Sequence, residues 1–199
     1  MVCIMEGQGP LDLLIARLRY RVARRRIARA GKKGRILDIG CGRYPLFLTT
    51  VDFAEKYGVD RNLASGAEKQ LEREHVTVVN HCLERQEALP FPPDFFDVVT
   101  MLAVFEHIEP ALLVRVHRDI RRVLKPGGLY VLTTPTRRAD AVLRGLDRLH
   151  LITNTISEHK AYYNPATIAS VWEESGFERD RMCFGYFEWY MNIWGTAVK

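Results

Sequence analysis

Cysteine is scarce in this chain. The four residues, Cys3, Cys41, Cys82 and Cys183, are scattered and show no Cys-x-x-Cys spacing. A zinc framework and a disulfide-stapled secreted scaffold are thereby excluded, and the four read as reduced thiols. Long apolar runs are also missing: none approaches the roughly 20 residues that span a bilayer. The N-terminus has no signal-peptide h-region, so a cytoplasmic protein is expected. Internal repeats and low-complexity tracts are absent. What is present is enough apolar content, 47% of 199 residues, to bury one substantial core, so one domain over 1–199 is expected.

Acidic residues are nearly missing from one end. Residues 1–35 carry ten Lys or Arg against Glu6 and Asp12, a balance of +8, while residues 36–199 carry nineteen against twenty-two, or −3. The basic excess of the whole chain therefore sits in an N-terminal arm. Leu11, Leu14, Ile15, Leu18 and Val22 fall at helical spacing, which predicts an amphipathic helix over 10–30. Arg17, Arg19, Arg21, Arg24, Arg25, Arg26 and Arg29 occupy its other faces. A capping helix with a solvated basic face is the plain reading. Contact of residues 11–30 with anionic lipid at the inner membrane face, or with phosphorylated or nucleic-acid partners, is the alternative.

The most informative stretch is Arg35-Ile36-Leu37-Asp38-Ile39-Gly40-Cys41-Gly42. An apolar strand breaks into a glycine turn, and Pro45 is pre-set for the first turn of a helix predicted over Leu46 to Tyr57. This is the strand–turn–helix start of a nucleotide-binding α/β unit. Gly58-Val59-Asp60 then reads as a second strand ending in a carboxylate, placed to accept ribose hydroxyls and to repel a 2′-phosphate. The dinucleotide pattern G-x-G-x-x-G fails, because Pro45 stands where its third glycine belongs. Asp38, two residues before the first glycine, suits a positively charged ligand without a pyrophosphate. Further elements are predicted as a helix over Leu63 to Arg73 and strands at His75 to Val79, Phe95 to Leu102 and Leu129 to Thr134. Helices over Ala111 to Leu124 and Pro165 to Ser175 and a closing hairpin within 178–198 complete the pattern. The aromatic run from Phe184 to Tyr190 reads as core strand, with pocket wall and interface as alternatives.

With these motifs in order, the chain resembles the class I S-adenosylmethionine-dependent methyltransferases, in their broad small-molecule branch. The resemblance is carried by Leu37 to Gly42, Gly58 to Asp60, Leu89-Pro90-Phe91-Pro92, Phe96-Asp97-Val98-Val99, Phe105-Glu106-His107-Ile108, Leu124-Lys125-Pro126-Gly127-Gly128 and Ser175-Gly176-Phe177. It implies a Rossmann-like three-layer α/β sandwich with a mostly parallel seven-stranded sheet and a C-terminal antiparallel hairpin. It implies S-adenosylmethionine as cofactor and S-adenosylhomocysteine as product. The positions it assigns to the cofactor are Asp38, Gly40, Cys41, Gly42, Arg43, Asp60, Arg61, Cys82, Leu83 and Leu102. Residues 136–164 match the variable segment that covers the acceptor, so His159, Tyr162 and Tyr163 are candidate substrate contacts. His107 is a candidate general base, against the plainer reading of a backbone-bonded histidine beside the cofactor.

Three departures stand out. Tyr44 replaces a third glycine, Asn80-His81-Cys82 replaces the acid that meets adenine, and Ala103 replaces the first glutamate of Glu-x-x-Glu-His, so no metal site is expected. Asn/Asp-Pro-Pro-Tyr/Phe is absent after the fourth strand, which reads Met101-Leu102-Ala103-Val104, and there is no Pro-Cys pair. What remains is in-line transfer to an O, N or C nucleophile, in which the protein positions and dehydrates. A small or lipid-linked acceptor is the leading expectation. An RNA substrate gripped by the basic helix, with nucleic acid less favoured, and a non-catalytic cofactor-binding module are the alternatives. The sequence leaves the oligomeric state open.

Overall fold

The structure, a computed structural model, describes residues 12–63, 71, 74–85, 88–139, 142 and 160–199. Its centre is a seven-stranded sheet: β1 (Arg35–Ile39), β2 (Glu55–Asp60), β3 (Val76–Asn80), β4 (Phe96–Leu102), β5 (Leu124–Pro135), β6 (Met182–Phe187) and β7 (Asn192–Val198). The spatial order is β3-β2-β1-β4-β5-β7-β6, with β1 to β5 parallel and β7 antiparallel to both β5 and β6. The chain runs outward from β1 through β3, then returns to place β4 on the other side of β1. That reversal opens a crevice at the carboxyl ends of β1 and β4, where open α/β sheets hold their ligands.

The helices are α1 (Asp12–Ala30), α2 (Leu46–Thr49), α3 (Leu113–Val123) and α4 (Pro165–Glu174). Strand side chains alternate between faces, and the core divides accordingly. Ile36, Val98, Leu129 and Val131 pack with Ala23 and Ile27 of α1 and Phe47 and Leu48 of α2. Leu37, Ile39, Val99, Tyr130 and Leu132 pack on the opposite face with α3 and with Ile168 and Trp172 of α4. The sandwich therefore has three layers, as the alternation of strand and helix patterns predicts. Inside the second cluster, buried His117 places Nδ1 2.8 Å from the Leu113 carbonyl and Nε2 3.1 Å from the Tyr130 hydroxyl. The carbonyl can only accept, so Nδ1 carries the proton.

Four sequence expectations need correction. The helix predicted over Leu46 to Tyr57 is a single turn, because the Thr49 and Thr50 hydroxyls donate back to the Leu46 and Phe47 carbonyls and end it. Residues from Glu55 onward instead pair with β1. The helix expected to reach Leu124 stops at Val123, and Leu124 already pairs with Phe96 in the sheet. The apolar stripe of α1 is not its packing face. Of the predicted stripe, Leu14 is exposed and Ile15, Leu18 and Val22 are only half-buried, whereas Tyr20, Ala23 and Ile27 meet the sheet. Small Ala23 lets the helix lie close, Tyr20 rests on Phe47 with centroids 5.3 Å apart, and the Arg26 guanidinium stacks 3.5 Å from the Trp194 ring centroid. Finally, the aromatic run meets the core at Phe184, which stacks on Trp172 with centroids 5.2 Å apart, but its far end is an exposed turn, with Trp189 92% exposed. The helix expected over Leu63 to Arg73 lies mostly outside the described residues.

Candidate functional site

Neighbouring strands build the site row by row. Asp38 on β1 lies beside Gly58 of β2 and Thr100 of β4. Asp38 is 4% exposed, and the Thr100 hydroxyl donates to its Oδ1 at 2.6 Å. Burial pushes the Asp38 carboxyl up to about 7, the Thr100 hydrogen bond partly offsets that rise, and the nearby Asp60 charge adds to it. A positive ligand group beside Asp38 would relieve this cost by favouring the ionised form.

Past Ile39 the chain turns sharply. Gly40 and Gly42 have φ of +70° and +78°, a region other residues enter only with strain. A Cβ on Gly40 would collide with Val104, whereas one on Gly42 would meet nothing nearer than the Tyr44 carbonyl at 4.0 Å. The first glycine is thus required by packing and conformation together. The second leaves open space over the turn, where backbone can approach a ligand. The Gly40 and Cys41 amides donate to the Val59 carbonyl at 2.8 and 3.2 Å, and the Gly42 amide donates to Asp60 Oδ2 at 2.9 Å. Asp60 Oδ1 accepts the Asn62 amide at 2.8 Å. A carboxylate has about four lone-pair sites, so two remain for ligand hydroxyls. Burial drives the Cys41 thiol well above its usual range, which leaves it an inert packing group.

Tyr20, Thr100 and Glu106 join the site without having been singled out in the sequence. Tyr20 reaches from α1 to the Asp38 end of the sheet, and burial followed by the Asp38 charge pushes its hydroxyl up to about 12. Thr100 carried a signal, being the polar interruption of an apolar strand. Tyr20 carried none, since its role depends on how α1 docks. Beyond β4, Ala103 adopts φ +57° while its amide donates to the Thr133 carbonyl at 2.9 Å. Such strain in a non-glycine residue marks a constrained strand end. The short turn Phe105–His107 follows, with the His107 amide bonded to the Val104 carbonyl at 3.0 Å and Glu106 buried under the Thr134 hydroxyl at 2.9 Å.

The remaining assigned positions are dispersed around this cradle. Arg43 and Arg61 are exposed, and Leu102 packs against the α1-side core. Cys82 and Leu83 follow β3, where Arg115 Nη2 holds the Leu83 carbonyl at 2.6 Å. Tyr162 is half-buried. The Tyr163 ring packs edge-on against Phe105 with centroids 4.6 Å apart, and its hydroxyl is buried without a partner among the described residues. His159 lies outside the described residues. No helix among the described residues is long and apolar enough to cross a membrane.

Comparison with known proteins points the same way as the crevice. A family model described as a methyltransferase domain matches residues 15–180. The ubiquinone biosynthesis O-methyltransferase of Aeromonas salmonicida is 29% identical over 157 residues, covering 71% of this chain and 62% of that relative. The protein of the same name from Pseudomonas aeruginosa is 30% identical over 157 residues, covering 75% of this chain and 66% of its own. The chain thus spans just under two thirds of these relatives' length. A crystal structure of a SAM-dependent methyltransferase from Archaeoglobus fulgidus superposes with a TM-score of 0.68 at 20% identity, over 92% of this chain and 94% of that one.

Proposed function

Because the chain belongs to the methyltransferase family matched over residues 15–180, we propose that it transfers a methyl group from S-adenosylmethionine to a small or lipid-linked acceptor. The observation that carries this reading is the joined cradle at the β1–β4 reversal. There an open glycine turn, a half-satisfied carboxylate and a buried carboxylate stand side by side. The donor that the family and fold imply supplies a methyl group already activated on a positive sulfonium, so the chain itself needs no nucleophile. Asp60 would hold the ribose hydroxyls through its two remaining lone-pair sites, and the turn at Gly42 would leave room for the methionine portion against backbone. Asp38 would favour the positive charge of that portion. Tyr20 covers the cradle from α1 and excludes water, while His107 and Tyr163 stand beyond the carboxyl end of β4.

Transfer is then governed by positioning in a dry site, as befits a reaction without a covalent enzyme intermediate. An oxygen acceptor is in keeping with the relatives' names. Presentation of that acceptor at a lipid surface is supported by Arg17, Arg21, Arg24, Arg25 and Arg29, all exposed on α1, and by the exposed Leu14, Trp189 and Tyr190. Isothermal titration with S-adenosylmethionine should give micromolar affinity for the wild type. Asp60→Ala should weaken it by about 2–4 kcal/mol, the value of two charge-assisted hydrogen bonds. Unchanged affinity in a folded variant would remove Asp60 from the site, and preferential binding of NADH would remove the whole reading.

A further inference from the structure

A second cavity, of about 300 Å³, lies between α1 and the β6–β7 turn, walled by Ile15, Leu18, Trp189 and Met191. Its lining also holds three polar side chains, Arg19, Glu188 and Asn192. Asn192 Nδ2 donates to Glu188 Oε2 at 2.5 Å, which fixes the orientation of both groups. Glu188 Oε1, Asn192 Oδ1 and Arg19 Nε are all buried without a hydrogen-bond partner among the described residues. Asn192 is itself only 4% exposed.

Buried polar atoms left unpaired are costly, and three of them belong to side chains that line this one cavity, which marks it as a place for a ligand. Two are acceptors and one is a donor. A hydroxyl donates once and accepts as well, and so satisfies both kinds. The positive Arg19 beside Glu188 leaves no net negative charge to attract an ammonium group. The turn that presents Glu188 is itself costly, since Glu188, Trp189 and Tyr190 have φ of +52°, +56° and +65°. Asn192, which lines the cavity, pairs with Pro135 at the carboxyl end of β5, so the cavity stands at the same edge of the sheet as the cradle.

We propose that this cavity is the acceptor chamber, and that it takes an apolar, hydroxyl-bearing molecule anchored by Glu188, Asn192 and Arg19. The proposal rests on the methyltransferase reading and narrows its substrate class. It also gives a role to the apolar side of α1, which the sheet leaves uncovered: Ile15 and Leu18 form the chamber wall.

Titrating the full chain with 4-propylphenol and with propylbenzene, each alongside S-adenosylhomocysteine, separates the possibilities. The phenol should bind at least about tenfold more tightly than the hydrocarbon, and Glu188→Met should erase that preference. Leu18→Trp and, at an exposed position on the rim, Val142→Trp should block both probes while S-adenosylhomocysteine still binds. Equal binding of phenol and hydrocarbon by the wild type, or phenol binding that survives both tryptophan variants, overturns the chamber and leaves the methyltransferase reading standing. A chamber that behaves as described in a protein deaf to S-adenosylhomocysteine supports the hydroxyl site and overturns the methyltransferase reading instead.

Discussion

Two buried titratable side chains act on stability in opposite directions. The native Asp38 carboxyl sits at about 7 against an ordinary 3.8, because burial disfavours its charge. Between those values the folded chain holds a proton that the unfolded chain has released, so this contribution falls as pH rises. Native His117 sits at about 4 against an ordinary 6.5, again through burial. Between those values the unfolded chain takes up a proton that the folded one refuses, so this contribution rises with pH. The windows overlap from about pH 4 to 6.5, and there the two slopes offset each other. Asp38→Asn should therefore expose the rising slope, by at most about 1.4 kcal/mol per pH unit relative to wild type. His117→Phe should expose the falling one. Urea unfolding at several pH values in this window reads the slopes independently of any constant loss from the substitution. A profile for Asp38→Asn parallel to wild type would show that Asp38 does not titrate as a buried acid.

At the scale of elements, the glycine turn separates two roles that look identical in the sequence. Gly42→Ala meets open space and should cost only the left-handed conformation, about 1–2 kcal/mol. Gly40→Ala meets Val104 as well and should add an overpacking cost of about 1–3 kcal/mol. Thermal unfolding of the two variants should thus rank Gly40→Ala clearly lower, and equal losses would deny Val104 its part in shaping the turn. Elements made by local pattern were legible in advance: β1 and β4 are mostly apolar runs, and Asp60 stood at the end of its strand. Elements decided by tertiary contact were not. The end of α2 depends on threonine back-bonds and on the pairing of Glu55 with Arg35. The packing face of α1 depends on Phe47 and Trp194, both distant in sequence. The same holds for the candidate site: both glycines and both acids could be singled out from the sequence, whereas the placing of Tyr20 and of the cavity lined by Arg19, Glu188 and Asn192 comes from how α1 lies across the sheet.

Over the whole molecule the charge is strongly polarised. The N-terminal 35 residues hold a balance of +8 and the remainder −3. The structure sets Arg17, Arg21, Arg24, Arg25 and Arg29 exposed along α1. Next to its first turns stand Leu14 at 54% and Trp189 at 92% exposure. Exposed arginines flanking aromatic and aliphatic tips are the composition of an interfacial surface, in which charge attracts anionic headgroups and apolar tips enter the boundary. Each arginine near such a surface contributes up to about 1 kcal/mol, within about 10 Å at 0.1 M salt. Sedimentation with vesicles containing phosphatidylserine should pull down the wild type, with much less bound to vesicles of phosphatidylcholine alone. A variant with the five exposed arginines changed to glutamine should lose the preference for anionic vesicles. Trp189→Ser should weaken binding to both, because its contribution is apolar and not screened by salt. Equal partitioning of wild type and the glutamine variant would reduce α1 to a cap over the cradle, with its positive charges serving solubility alone.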